Sequence, residues 1–186
     1  FDPLGMGKVW STTCPDGIAC GGWGMNMSTR DLAKFGQLYL QKGKWNGKQI
    51  LSPDWVSLAT TRQTWSGAIR AHNQTIGSDS DWAQGYGFQF WRCRHGAYRA
   101  DGAFGQLTVV MPDVDAVVSV HAGLGDMQKE INLIWTHLLP AMGQGALPED
   151  VGAQAKLKDR LDKLAIMPVE GTFEGCEKYC GIDYAV

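Results

Sequence analysis

The stretch from residue 85 to residue 123 constrains the fold most, because aromatic and β-branched runs alternate there with Gly, Pro and Asp breakers. That pattern predicts three short strands. Valines fill the last two strands: Val109, Val110, Val117, Val118 and Val120. Their near-continuous spacing predicts strands that are covered on both faces. Residues 112–115 have turn chemistry and predict a hairpin between the second and third strands.

Two short segments combine glycine with turn-forming residues. Residues 101–105, Asp-Gly-Ala-Phe-Gly, separate the first two strands, and their two glycines suit a backbone that bends sharply or approaches another group closely. Asn46-Gly47 is the strongest two-residue hairpin signal in the chain. Both segments are therefore predicted to be tight turns.

Helical patterns lie on either side of the strands. Ser28 and Asp31 are typical of a capping box at the start of a helix that continues to residue 42, and Ser52-Pro53 marks the start of a second helix. Apolar residues at helical spacing predict two more helices, over residues 126–142 and 153–164. Strands and helices in this order predict an α/β (α+β) domain.

Charge and cysteine content argue against several classes of function. The 186 residues carry a formal net charge of only −2, which gives no basis for binding nucleic acid or a membrane surface. No apolar run reaches the length of a membrane span. The five cysteines include no Cys-x-x-Cys pair, so no metal site is predicted. Unpaired cysteines favour a reducing, cytoplasmic compartment, with a Cys14–Cys20 disulfide as the alternative if the protein is exported.

Side chains that could carry catalysis are sparse. No serine lies in Gly-x-Ser-x-Gly or has a lysine three residues later, and neither Tyr-x-Asn nor Lys-Thr-Gly occurs. His121, at the end of a strand, is the one histidine that is a candidate to face a site, although a structural role is favoured for it. Residue types and spacing alone therefore predict an α/β domain without an assigned activity.

Five segments, in order and at matching spacing, resemble the β-lactamase-related serine hydrolases, which include class C β-lactamases, D-alanyl-D-alanine carboxypeptidases and esterases. The segments are Phe-Asp-Pro-Leu-Gly-Met at the start, residues 21–40, residues 43–56, Tyr-Gly-Phe-Gln-Phe-Trp at 86–91, and Asp-Gly-Ala-Phe-Gly-Gln at 101–106. The resemblance implies a β-lactamase/transpeptidase-like fold, with an antiparallel sheet flanked by helices, over residues 1–142. Residues 143–168 look like a linker and helix, and residues 169–186 look like the start of a small C-terminal extension.

In this family the nucleophile of Ser-x-x-Lys and the Tyr-x-Asn motif both precede the Phe-x-Pro-Leu-Gly segment. The resemblance therefore implies that both lie upstream of Phe1 and that the fold is incomplete on its N-terminal side. The complete protein is expected to act on a small-molecule ester or amide, without a cofactor. The oligomeric state stays open.

The family's third motif falls on Ala100, Asp101 and Gly102, with Gly105 as the glycine that often follows. Ala100 departs from the pattern because it lacks a charged or hydrogen-bonding group, which argues against recognition of a substrate carboxylate. Asp101, or Arg99 through a bulge, is the expected substitute, although Arg99 should point to the other face of a regular strand.

The residue after the motif's glycine supplies one backbone N–H of the oxyanion hole in this family, so the resemblance implies that role for Ala103. Phe104, next to it, is a second candidate substrate contact. Two other readings stay open. Ala100 suggests a binding or regulatory member that has lost its site, and the chain could also be a stand-alone interaction domain.

Overall fold

The computed structural model describes residues 1–66, 79–143, 145, 148–165, 171 and 174–175. The chain divides into two compact units, Phe1–Gly145 and Ala146–Val186. Its regular elements in chain order are β1 (Trp10–Ser11), β2 (Met25–Asn26), α1 (Thr29–Leu40), β3 (Lys44–Trp45), β4 (Lys48–Gln49), α2 (Pro53–Thr60), β5 (Trp91–Arg92), β6 (Tyr98–Gly102), β7 (Gln106–Met111), β8 (Ala116–Val120), α3 (Met127–Leu133) and α4 (Val151–Asp162).

The central sheet of the first unit is antiparallel throughout, in the order β5-β6-β7-β8. The predicted hairpin of β7 and β8 is confirmed, and its connection is a short 3₁₀ turn over Pro112–Val114. β7 is buried on both faces, as predicted, but every residue of β8 is only half-buried. The mixed α/β class predicted from the sequence is therefore confirmed.

The first predicted strand is divided in two, so that four strands stand where three were predicted. Gln89 has a φ of 64° and His95 a φ of 57°, both in the left-handed region. Such a backbone cannot continue an extended strand, and it confines β5 to two residues. The alternation of Phe88, Gln89 and Phe90 is thus a loop that buries Phe90 and exposes its neighbours.

Helix α1 packs on the face of the sheet that carries Thr108 and Val117. Its predicted cap is confirmed, because the Ser28 hydroxyl accepts from the Asp31 N–H at 3.1 Å. A Cβ at Gly36 would lie only 2.6 Å from Val117 and 2.7 Å from Thr108. Glycine at this position therefore lets the helix approach the sheet closely.

Two further sequence signals are confirmed in the first unit. Ser52 caps α2 and Pro53 is its first residue. Asn46 and Gly47, both at positive φ, connect the paired strands β3 and β4.

The opposite face of the sheet is organised around the carboxylate of Asp81, which is fully buried. Its Oδ1 accepts from the Arg94 backbone N–H at 2.8 Å. Its Oδ2 accepts from the Arg94 guanidinium at 2.8 Å, the Gln128 amide at 2.8 Å and the Trp135 indole at 3.0 Å. Burial raises the pKa of Asp81, but the hydrogen bonds from Arg94, Trp135 and Gln128 outweigh burial and hold the pKa below its ordinary value.

Helix α3 continues beyond Leu133 in a π-helical segment, Ile134–Leu138, and a 3₁₀ turn, Leu139–Ala141. Together they span the helix predicted over residues 126–142. Trp135 lies in the π-helical segment, which places its indole against Asp81.

The second unit contains α4, which begins two residues before the predicted helix and is capped by Asp150. Its leucines, Leu157, Leu161 and the following Leu164, are all more than half exposed. The predicted C-terminal extension, residues 169–186, lies almost wholly outside the described residues. No helix in the described ranges is long and apolar enough to cross a bilayer.

Asp81→Ala is expected to lower the free energy of unfolding at pH 7 by about 3–5 kcal/mol, because it leaves several buried donors without an acceptor. Since the folded-state pKa of Asp81 is lowered, its contribution is present above the unfolded pKa of about 3.9 and is lost as the pH falls through the folded value. The free energy of unfolding of the variant should therefore also fall less steeply than that of the wild type as the pH is lowered. Urea unfolding between pH 7 and pH 2 measures both effects.

The matched control is Asp54→Ala, which removes an exposed carboxylate from the first turn of α2. Its loss should stay below about 1 kcal/mol. Equal losses in the two variants would contradict the assignment of Asp81 as the organising charge.

Candidate functional site

A cavity of about 580 Å³ lies between the glycine-rich segment 20–25 and the β6–β7 end of the sheet. Leu32 of α1 and Met27 close one side, and Thr108 and His121 belong to the sheet side. The predicted residues Ala100, Asp101, Gly102 and Ala103 all line it. A second cavity of about 480 Å³, beside the β3–β4 hairpin, contains none of the predicted site residues.

Side chains along β6 point alternately to the two faces of the sheet, and this alternation decides which of them face the cavity. Ala100 pairs with Thr108 and Gly102 with Gln106, and all four line the cavity. The pairing runs without a bulge from Tyr98 to Gly102, so residues 99 and 101 project to the other face. The positions of β6 whose side chains point toward the cavity are therefore Ala100 and Gly102, which offer a methyl group and bare backbone, while Asp101 reaches only the rim.

Arg99 is fully buried on that other face. Its Nε donates to Asp101 Oδ2 at 2.7 Å, and its Nη1 donates to the Asp81 carbonyl at 2.8 Å and to Cys93 Sγ at 3.1 Å. The guanidinium carbon lies 4.3 Å from the centre of the Trp82 ring. This geometry gives no support to a direct contact between Arg99 and a molecule in the cavity.

Asp101 lines the cavity rim, but its carboxylate is paired with Arg99 and only 11 % exposed. Its negative charge is thus already compensated within the chain. Among the described residues that line the cavity, none is lysine or arginine. The wall formed by this chain offers no cation to a bound carboxylate.

The turn after β6 carries Ala103, whose backbone N–H makes no hydrogen bond within the described residues. Phe104 has a φ of 66° and Gly105 a φ of 95°, and the Phe104 ring is exposed. The carbonyl of Phe104 accepts from the Leu124 N–H at 2.9 Å, and that of Gly105 accepts from the Ala122 N–H at 3.1 Å. The turn is thereby tied to the segment that follows β8.

Glu130, on α3, packs against Gly105 from inside the protein. The side chain is 6 % exposed, and both carboxylate oxygens are buried without a hydrogen-bond partner among the described residues. Burial, and secondarily the charge of Asp101, raises the pKa of Glu130. A Cβ at position 105 would lie 2.1 Å from Glu130 Oε2, so the glycine predicted here is required both by its φ and by this contact.

Sequence reasoning did not find Glu130, Gln106 or Thr108. Glu130 occupies a position in an amphipathic helix where a polar residue is unremarkable. Gln106 and Thr108 could have been found by pairing β7 with the predicted motif strand, which brings them opposite Gly102 and Ala100.

His121 lines the cavity as the one histidine predicted to face a site, and it also has a structural partner. Its Nδ1 lies 2.8 Å from the Thr29 hydroxyl at the start of α1. Cys20 also lines the cavity and, like Cys14, is a free thiol. The described part of the chain contains no group of three or more His, Cys, Asp and Glu side chains that could hold a metal ion.

Neither a family model nor a curated protein matches the chain. Among solved structures, it is similar to a Bacillus anthracis protein assigned as a 6-aminohexanoate-dimer hydrolase, with 22% sequence identity and a TM-score of 0.53. The match covers 87% of this chain and 36% of that chain, so the chain spans about a third of the neighbour's length. The likeness supports the β-lactamase/transpeptidase-like fold inferred from the sequence and extends to the fold alone.

Gly105→Ala is expected to lower the free energy of unfolding by about 1–3 kcal/mol, because alanine resists a left-handed φ and meets Glu130. The control is Gly123→Ala, where a Cβ meets no atom within 4 Å. Thermal and urea unfolding of both variants measure the difference. A loss no larger than that of the control would show that the turn does not have this conformation.

Proposed function

We propose that this chain forms one wall of the active site of a serine hydrolase that cleaves an ester or amide bond through an acyl-enzyme. The observation that carries the proposal is the backbone N–H of Ala103, which makes no hydrogen bond within the described residues and lies on a turn at the edge of a cavity of about 580 Å³. The catalytic serine would come from a segment that precedes Phe1 in a longer protein.

In this mechanism the serine oxygen attacks the carbonyl carbon of the substrate, and negative charge develops on the carbonyl oxygen. The Ala103 N–H and the N–H of the serine donate to that oxygen. Removal of one such donor typically costs about 10²–10³ in rate. The C–O or C–N bond then breaks and the leaving group takes a proton. Water hydrolyses the acyl-serine, which releases the carboxylic acid and restores the serine.

The lysine of the upstream Ser-x-x-Lys and the tyrosine of Tyr-x-Asn would carry the protons in both steps. The oxygen that attacks the acyl-serine comes from water, so no cofactor is needed. In the proposal, this chain contributes the oxyanion donor and the walls around it, and the upstream lysine and tyrosine activate the nucleophile.

Uncovered apolar surface supports a larger domain. β8 ends the sheet with five half-buried residues, and Trp10, Trp23 and Met25 are each more than half exposed. A sheet edge and aromatic side chains of this kind are usually covered by another part of the protein. In the proposal, residues 1–142 are the C-terminal part of the hydrolase domain, residues 143–168 a linker and helix, and residues 169–186 the start of an extension.

The lack of lysine and arginine among the described residues that line the cavity favours an ester or amide without a carboxylate beside the scissile bond, rather than a β-lactam. Ala100 offers no group that could bind such a carboxylate, and Arg99 is held on the opposite face. The name of the structural neighbour, a hydrolase of a small dimer, is in keeping with a small-molecule substrate.

The second candidate is a binding or regulatory member of the same fold that has lost catalysis, and Ala100 is the observation that favours it. The two candidates differ in the sequence that precedes Phe1. Intact Ser-x-x-Lys and Tyr-x-Asn motifs there would exclude the second candidate, and their loss would exclude the first.

The complete protein is expected to form a covalent adduct with a fluorophosphonate probe, whereas the chain 1–186 alone should form none, because the nucleophile is absent from it. Intact-mass spectrometry measures the adduct. The control is the complete protein with its Ser-x-x-Lys serine changed to alanine. An adduct on residues 1–186 would refute the assignment of the nucleophile to another segment.

The complete protein should hydrolyse an uncharged p-nitrophenyl ester at least about tenfold more efficiently, in kcat/KM, than a penicillin or cephalosporin. The physical reason is the lack of a cation on the wall formed by Ala100. Spectrophotometric assays of both substrates give the ratio. A preference for the β-lactam would contradict the proposed substrate class.

A further inference from the structure

We infer that Gln106 is a positioning residue, which holds the turn of Ala103 in the conformation that presents its N–H. The inference rests on the proposed function, because Ala103 is the donor proposed there. Gln106 follows the turn directly, begins β7 and lines the cavity.

The side-chain amide of Gln106 makes two hydrogen bonds at once. Its Nε2 donates to the carbonyl of Ala103 at 3.1 Å and to the carbonyl of Ala122 at 2.7 Å. Both acceptors are carbonyl oxygens, which cannot donate, so the orientation of the amide is fixed by its partners. Both Nε2 protons are used, and the side chain connects the turn to the segment after β8.

In the described part of the chain, three carbonyls of the turn accept hydrogen bonds, and one of these bonds comes from a side chain. The carbonyls of Phe104 and Gly105 accept hydrogen bonds from the backbone N–H groups of Leu124 and Ala122. Because donor and acceptor are both backbone groups, most side-chain substitutions leave these two bonds in place. Within the described residues, the carbonyl of Ala103 accepts a hydrogen bond only from the Gln106 side chain. A substitution at position 106 therefore removes the hydrogen bond that restrains the backbone of Ala103. The hydrogen bonds of Phe104 and Gly105 remain.

Glu130 limits the movement of the turn from the other side. Its carboxyl group packs against Gly105, so the turn cannot relax inward. Loss of the Gln106 amide should let Ala103 move toward the cavity, where its N–H no longer meets the developing oxyanion. A misplacement of about 1 Å can cost about 10²-fold in rate.

The test is Gln106→Glu in the complete protein, because a carboxylate has nearly the same shape but accepts where the amide donates. We expect kcat for an uncharged ester to fall about 10- to 100-fold, with KM within about twofold. The affinity for a boronic-acid transition-state analogue should fall by the same factor, and the melting temperature should stay within a few degrees. Gln154→Glu, the same change on the exposed surface of α4, should leave all of these unchanged.

An unchanged kcat in Gln106→Glu would overturn the inference, as would a rise in KM with kcat unaltered. If the variant does not fold, Gln106→Met replaces it, since methionine keeps the length of the side chain without repelling the two carbonyls. A folded Gln106→Met with full activity, or unfolding of both variants, would also overturn it, since Gln106 would then serve the fold alone.

Failure of the proposed function has a separate signature. If the wild-type complete protein forms no fluorophosphonate adduct, the proposed function is wrong. The positioning role of Gln106 is then tested by NMR of the backbone amides of the turn. The ¹⁵N–¹H resonances of Ala103 and Phe104 should then shift in Gln106→Glu and stay unchanged in Gln154→Glu. Unshifted resonances in both variants would overturn the positioning role.

Discussion

A single buried carboxylate holds together the face of the sheet that is remote from the cavity. Asp81 accepts hydrogen bonds from Arg94, Gln128 and Trp135, and its backbone carbonyl accepts from Arg99. These donors belong to the β5–β6 connection, α3, its π-helical continuation and β6. The carboxylate therefore fixes three of these segments relative to one another, and the backbone carbonyl of Asp81 attaches β6. This arrangement is effective because an unpaired buried donor is costly. Arg99 is held on this face, and the opposite face of β6 is left to the small residues Ala100 and Gly102.

The sequence predicted correctly those elements that are determined by a few adjacent residues. The Ser28 cap, the Ser52-Pro53 start and the β7–β8 hairpin each follow from a few adjacent residues, and strand parity predicted that Arg99 faces away from Ala100. The left-handed Gln89 escaped prediction because its neighbours alternate like a strand, and nothing in a glutamine signals a positive φ. The burial of Glu130 escaped too, since it arises from contact with Gly105, which is distant in sequence. The contact between Arg99 and the Asp81 carbonyl escaped as well, because Asp81 lies 18 residues earlier, in a loop without periodicity.

The two faces of β6 differ sharply in charge, and this difference explains why the strand presents so few reactive side chains to the cavity. Arg99 and Asp101 form an ion pair on the inner side, and burial together with the charge of Asp101 raises the pKa of the nearby Glu130. The cavity side offers Ala100, Gly102 and the amide of Ala103. Its contribution to chemistry is a backbone group, which every residue except proline possesses and which residue type cannot reveal. Family resemblance, through the glycines of the turn, was the only signal in the sequence that pointed to it.

The thiol of Cys93 can report on the buried cluster around Arg99. It accepts a hydrogen bond from Arg99, and burial raises its pKa to about 11, so roughly one thiol in 10³ is ionised at pH 8. Alkylating reagents attack the thiolate, and a closed core also denies them access. Cys93 can therefore react only when the cluster around Arg99 opens, while the half-buried Cys14 and Cys20 provide an internal reference. The alkylation rate of Cys93 thus measures how often the inner face of the sheet opens locally.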